Sequence, residues 1–468
     1  MTIDMLPDNV LLEVFDLCKD SSYPIDFAWV SRCKRLTQVC RRWRLISLGS
    51  PRRLDLRIVC TDKTPTKTSL DIWPSFLIAI IRSPSHSAVD EKGVENVIAA
   101  LEHRDRISEI LLYDISASPL ETLVAVMHEP LPALRYAYFS SSGESVSAFP
   151  ETFLGGSAPC LRSFSLEGIP FPSFPKFVSF ATHIVNLSLL RIPNSGYIPP
   201  DVMVKCLEAL PKLKHLSIGF QCPPFRPVQT TPPPLTRAVL PALTFLSFTG
   251  ASEYLEDFVA QIDTPILNQL SVVFFLDLIF DIPRLRDFID RIKCLGSFNQ
   301  ANVEFHRHKI KLALGPPIRF ELEIVCERAD WQLSSMAQIF TQQLPLISRV
   351  ENLEIHAGLS SSRSRWQDDP DMDPSQWLEL FHPFVAVQTL YVSSLLVRPV
   401  ATALQELTGG RVLEMLPALR DLCLDHLEPS EPAQEGIRSF IAARQLSNHP
   451  IAVQPLTAWL AKKWHHLR

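Results

Sequence analysis

The chain has 468 residues, of which 46% are hydrophobic and 20% charged, with a formal net charge of −5. That length exceeds one simple core and that composition excludes a disordered chain, so several ordered units or a repeat array are expected. The charge balance gives no global drive toward nucleic acid or an anionic membrane.

Ten scattered cysteines with no C-x-x-C pair exclude ordinary zinc-knuckle spacing and fit reduced thiols in a cytoplasmic or nuclear protein. MTIDMLPDNV does not read as a signal peptide. The most apolar run, LSVVFFLDLIFDI at 270–282, contains Asp277 and is too short to span a bilayer. No membrane association is expected.

In chain order, LPDNVLLEVFDLC at 6–18 places Val10, Leu11, Val14, Phe15 and Cys18 on one helical face, with Pro7 in the first turn. A short apolar segment, IDFAWV, follows at 25–30, and LTQVCRRWRLIS at 36–47 again spaces Leu36, Val39, Cys40, Trp43 and Ile46 by three and four. The first fifty residues predict three short helices, closed by Gly49-Ser50-Pro51. The period then changes. Leu54, Leu56 and Ile58 alternate like a strand, WPSFLIAII at 73–81 is a buried strand or helix, and VENVIAALEHR at 94–104 is an amphipathic helix.

From there one pattern dominates: an apolar residue, two others, apolar, one other, apolar. Its first positions are Ile107, Leu134, Leu161, Ile184, Leu213, Leu243 and Leu267, at intervals of 27, 27, 23, 29, 30 and 24. The pattern blurs between 275 and 345, where VEFHRHKIKLAL and IRFELEIVC read as longer strands, and returns at Val350, Val387 and Leu419. Helix-like stretches such as DVMVKCLEALP (201–211) and EYLEDFVAQI (253–262) lie between the strands. One strand plus one helix per repeat predicts an α/β fold: an irregular, curved leucine-rich-repeat solenoid after the three-helix segment. The expected boundaries are 1–57, 58–450 and a C-terminal tail at 451–468.

Leu6-Pro7, Val10-Leu11, Val14-Phe15 and then Val39-Cys40-Arg41-Arg42-Trp43 stand in the order and spacing of the F-box family, which residues 4–57 resemble. The remainder resembles the C-terminal half of F-box proteins abundant in mushroom-forming fungi. The resemblance implies a substrate receptor of a cullin–RING (SCF-type) ubiquitin ligase, whose F-box binds the adaptor subunit while the repeats recruit a target protein. It assigns adaptor binding to Leu6, Pro7, Val10, Leu11, Val14, Phe15, Val39, Cys40 and Trp43. Three short helices also cannot bury all these apolar residues among themselves, which leaves surface for a partner. A non-ligase interaction scaffold or a degenerate F-box protein is the alternative.

Target contacts are expected at solvent-facing strand positions that alternate with the buried leucines: His215, Ser217, Asn352, Glu354, His356, Thr389, Tyr391, Asp421 and Asp425. Sharper chemistry is weakly signalled. Residues 31–54 hold eight Lys/Arg and no acid, a +8 patch that would suit phosphates but equally a solvated helix face or an acidic adaptor, so nucleic acid is a minor alternative. Glu304, His306 and His308 lack a further ligand for zinc, and Asp369, Asp371 and Asp373 lack the glycine and glutamate of a calcium loop. PPFRPVQTTPPPL at 223–235 reads as an inserted loop. No phosphate loop or nucleophile motif is present, so no cofactor, no metal and no enzymatic activity are expected.

Overall fold

Each leucine-type anchor is followed by a strand, and these anchors set the architecture. The computed structural model describes residues 5–17, 36–50, 53–54, 56–63, 70, 76–82, 91–143, 146–221, 236–275, 282–295, 298–315, 319–326, 328–342, 344–358, 373–407, 409–425 and 431–455. The segments 25–30 and 223–235, with Asp369 and Asp371, lie outside them. The chain divides into two compact units, 1–222 and 223–468. The expected boundary at 57 falls inside the first unit.

The first unit opens with helices α1 (Asp8–Leu17) and α2 (Arg41–Gly49). There follow β1 (Arg57–Cys60), β2 (Leu77–Arg82), α3 (Glu91–Leu101), β3 (Ile107–Leu112), α4 (Ala117–Val126), β4 (Tyr136–Ser140) and β5 (Ser163–Glu167). α5 (Phe174–Val178), β6 (Asn186–Ile192), α6 (Pro200–Glu208) and β7 (His215–Phe220) complete it. β1 to β7 pair side by side in chain order, every pair parallel. Of the segment 73–81, residues 77–81 lie in strand β2. The anchors Ile107, Leu134, Leu161, Ile184 and Leu213 are at most 1% exposed. Parallel neighbours require a crossover, and the helices that make it cover one face of the sheet.

Between β4 and β5 a 3₁₀ turn at Phe153–Gly156 stands where a crossover helix would lie, and α5 is only five residues long. Phenylalanines fill the space instead: Phe139, Phe149, Phe153, Phe164, Phe171 and Phe177 are buried, and rings such as Phe164 and Phe177 pack with centroids 4.6 Å apart. Gly168, just past β5, has φ +71°, and a side chain there would run into the Ser141 carbonyl.

The second unit contains β8 (Ala238–Val239), β9 (Phe245–Gly250), α7 (Ser252–Val259), β10 (Ile262–Asp263), β11 (Gln269–Phe275) and α8 (Pro283–Arg291). The blurred region resolves into β12 (Gln300–Phe305), β13 (Lys309–Leu314) and β14 (Phe320–Val325). Then come α9 (Ala329–Gln342), β15 (Asn352–Ala357), α10 (Pro374–Phe381), β16 (Thr389–Val392), α11 (Val397–Gln405), β17 (Asp421–Leu424), α12 (Glu431–Leu446) and β18 (Ala452–Pro455). The main sheet runs β9-β11-β14-β13-β12-β15-β16-β17-β18, and β13 pairs antiparallel with both its neighbours. β12 and β14 flank it, so the parallel direction continues on either side. Residues 452–455, expected in a tail, instead pair with β17 because backbone groups at its edge find partners there.

Helix ends in the second unit are tied by side chains. Glu256 of α7, 8% exposed, accepts from the backbone N–H groups of Arg284 (2.8 Å) and Leu285 (2.7 Å) at the start of α8. A carboxylate there satisfies two orphan donors and sits at the positive end of the helix. Replacing Glu256 by Ala is expected to lower unfolding free energy by about 1–3 kcal/mol. Urea denaturation checks this, with Glu256→Gln losing less because one acceptor remains.

Candidate docking surfaces

Pro7 starts α1, its carbonyl accepting from Val10 N (3.0 Å) and Leu11 N (3.1 Å). The apolar residues of the helix divide into two stripes. Leu11 and Phe15 face inward with Ile46, Leu54 and Leu56, and Trp43 of α2 packs on Phe15 at a ring distance of 4.7 Å. Val10 (37%), Val14 (38%) and Leu17 (85%) form an exposed stripe at spacings of four and three. Cys40 caps α2, its sulfur accepting from Trp43 N at 3.4 Å.

The nine expected adaptor positions therefore separate. Pro7, Val10, Val14 and Val39 are exposed, while Leu6, Cys40 and Trp43 are half-buried. Leu11 and Phe15, expected to meet a partner, are 0% and 1% exposed, because the i, i+4 pair facing α2 is consumed by the core. Leu17, together with Met5 (72%) and Leu45 (64%), is an exposed apolar residue absent from the expected set. The signal for Leu17 was present as the i+7 continuation of Val10.

Two of the arginines turn toward α1. Arg42 donates to Asp8 Oδ1 (2.6 and 3.1 Å) and to the Leu6 carbonyl, Arg53 pairs with Glu13, and Arg44 donates to the Thr37 carbonyl at 2.8 Å. Three of the eight cations of 31–54 are thereby engaged within the chain.

In the first unit the sheet face opposite the anchors carries His215 and Ser217. His215 Nδ1 lies 2.8 Å from Asn186 Oδ1 on β6, and its pKa is pushed down by burial and then by Lys214. Sequence reading missed the tyrosines on this face. Tyr113 and Tyr138 pack at 4.6 Å, Tyr138 donates to Glu167 Oε2 at 2.7 Å, and Tyr113 and Tyr136 lie against Ala79, Ile81 and Leu111. Burial is the largest cause raising the pKa of Tyr136 and of Tyr138 to about 12.

In the second unit the expected positions line up in register. Asn352, Thr389 and Asp421 form one row, and Glu354 and Tyr391 the next with Cys423. Gln454 of β18 donates to Asp421, and His356 Nε2 lies 3.2 Å from Glu354 Oε2. Tyr391 corrects the expectation of a solvent-facing residue. It is 5% exposed, with the His356 ring 4.9 Å away, and burial first, then Asp425 and Glu354, raise its pKa to about 12. Thr389, Asp421 and Asp425 remain half-buried.

Glu304 and His306 approach to 3.4 Å, but among the described residues no group of three or more His, Cys, Asp or Glu residues could hold a metal ion. Asp373 caps α10, accepting from Ser375 N at 2.9 Å. No helix among the described residues is long and apolar enough to cross a membrane.

The phenol shifts have a measurable consequence. Tyr136, Tyr138 and Tyr391 hold their protons to about pH 12, whereas the unfolded chain releases them near 10.0, so the folded state loses stability across that window as pH rises. Ultraviolet titration of tyrosinate should show a fraction of the phenols ionising only near pH 12. Tyr138→Phe, which cannot ionise, should reduce the alkaline loss of stability.

No family model matches the chain, and no curated protein matches it. Among solved structures it is similar to the leucine-rich repeat-containing protein LegL7 from Legionella pneumophila, at 12% identity and a TM-score of 0.29, over 82% of this chain and 97% of that one. The strand-and-helix repeat described above rests on this chain's own strand register and buried anchors.

Proposed function

We propose that this chain is a non-enzymatic receptor subunit of a cullin–RING ubiquitin ligase in the cytoplasm or nucleus. Its N-terminal helices dock on the adaptor as an F-box does, and an open face of the repeat sheets recruits the target protein. The observation that carries the reading is the division of α1 into two apolar stripes. A helix that already buries Leu11 and Phe15 still presents Val10, Val14 and Leu17 to solvent. Exposed apolar rows of this kind mark contact surfaces, because their burial against a partner releases water. The Arg42–Asp8 and Arg53–Glu13 pairs support it by holding the helix in place without covering that stripe.

The mechanism is proximity. Binding a target and the ligase at once raises the target's effective concentration near the ubiquitin-conjugating enzyme, and no group of the chain enters the reaction.

Co-purification of the full chain with adaptor and cullin tests the reading. Val10→Asp, Val14→Asp and Leu17→Asp together should abolish capture. Anchors at such interfaces are worth about 2 kcal/mol or more each, so the combined loss exceeds roughly a hundredfold. Thermal unfolding should change little, since all three side chains are exposed. Undiminished capture by the triple variant would overturn the docking surface.

A further inference from the structure

In the basic segment 31–54, Arg42 and Arg53 are paired with Asp8 and Glu13 of the first helix. A second set of cations, spread along the chain, converges only through the fold. The residue that follows each anchor of the first unit enters one backbone ladder. Arg135 N donates to Ser108 O (2.8 Å), Arg162 N to Arg135 O (2.9 Å), Val185 N to Arg162 O (2.7 Å) and Lys214 N to Val185 O (2.8 Å). Neighbouring parallel strands lie about 4.8 Å apart, so Arg135 and Arg162 are adjacent and Lys214 is two strands further along.

All three cationic residues are exposed, and Lys212 and His183, one position before their own anchors, are exposed as well. The turns leading into these strands, 130–135, 157–162, 179–185 and 209–214, contain no Asp or Glu; Glu129, paired with Arg104, and Glu208 stand just ahead of two of them. The edge is therefore a positive rim about four strands wide. A chain with net charge −5 that gathers cations of one sign on one edge has local field enough to select an anionic partner.

We infer that the rim of Arg135, Arg162, Lys212 and Lys214 is a docking edge for an acidic protein segment, an extended stretch rich in Asp and Glu. Charge complementarity picks the occupant: an extended acidic segment presents alternate carboxylates about 6.8 Å apart on one face, and long Arg and Lys side chains rooted about 4.8 and 9.6 Å apart can reach them. Nucleic acid fits less well, because specific binders neutralise about 6–10 phosphates and this rim offers four permanent cations. The inference deepens the recruiting role proposed above by naming the chemistry of the target, and it does not depend on α1.

The test is fluorescence anisotropy on the full chain. The probes are a labelled peptide with alternating glutamates, its glutamine counterpart, and a short single-stranded DNA. The glutamate peptide should bind with an affinity that falls as salt rises, and the glutamine peptide should not. Arg135→Gln, Arg162→Gln and Lys214→Gln together should weaken binding by roughly tenfold or more, while the melting curve stays unchanged. Lys176→Gln, at an exposed side chain of α5, should leave binding intact. Equal binding by the triple variant overturns the assignment, as does binding of DNA without the peptide. Adaptor capture is read separately: its loss with peptide binding retained retires the ligase reading and leaves the rim, and the converse retires the rim alone.

Discussion

The anchor ahead of each strand is the constraint on which everything else depends. A parallel strand can follow another only if the chain travels back along its length, and the returning segment must lie on one face of the sheet. Ile107, Leu134, Leu161, Ile184 and Leu213 lock that segment down, each excluded from solvent between sheet and crossover. Once one face is committed in this way, the other is left without crossovers. The residues that alternate with the buried ones are released from packing and become available for recognition. A repeat protein of this type thus acquires its candidate binding surface as a by-product of how its core is built.

The same alternation explains why the two units differ chemically despite one backbone plan. In the first unit, tyrosines and small apolar residues crowd the free face, and their ladder ends in exposed cations. In the second, amides, carboxylates and imidazoles stand in register, with His356 against Glu354 and Tyr391. The backbones share the parallel order apart from the antiparallel β13 of the second unit. A partner is selected by the rows, because cross-strand neighbours lie closer to one another than residues two apart along a strand.

Much of the repeat was legible in the sequence, because burial between layers admits few residue types and so writes leucine or isoleucine at a fixed place. The region 275–345 was not, for a physical reason. β12 to β14 form a meander whose first turn, His306-Arg307-His308, carries none of the Gly or Asn signals that mark tight hairpins. The Phe-filled gap between β4 and β5 was equally hidden, since aromatic rings packed against one another leave no period in the sequence. Of the candidate docking residues, the outward Val10 and Val14 were recognisable. That Leu11 and Phe15 face inward was not, because two adjacent apolar stripes look like one broad face until a second helix claims half of it.

Charge shows the limit of local reading most clearly. Eight cations within 31–54 look like a binding patch, yet Arg42 and Arg53 are held by Asp8 and Glu13, residues more than thirty positions away. Arg135, Arg162 and Lys214 look unremarkable, each alone in its own turn, and the parallel ladder sets them side by side. Density along the sequence and density on the surface are different quantities. In a repeat protein the second is governed by the repeat length, so a residue is best judged by what occupies the same position one repeat earlier and one repeat later. By that measure the first strand-leading position of the first unit is basic at three of its five described places, and the arginine-rich helix is a clasp.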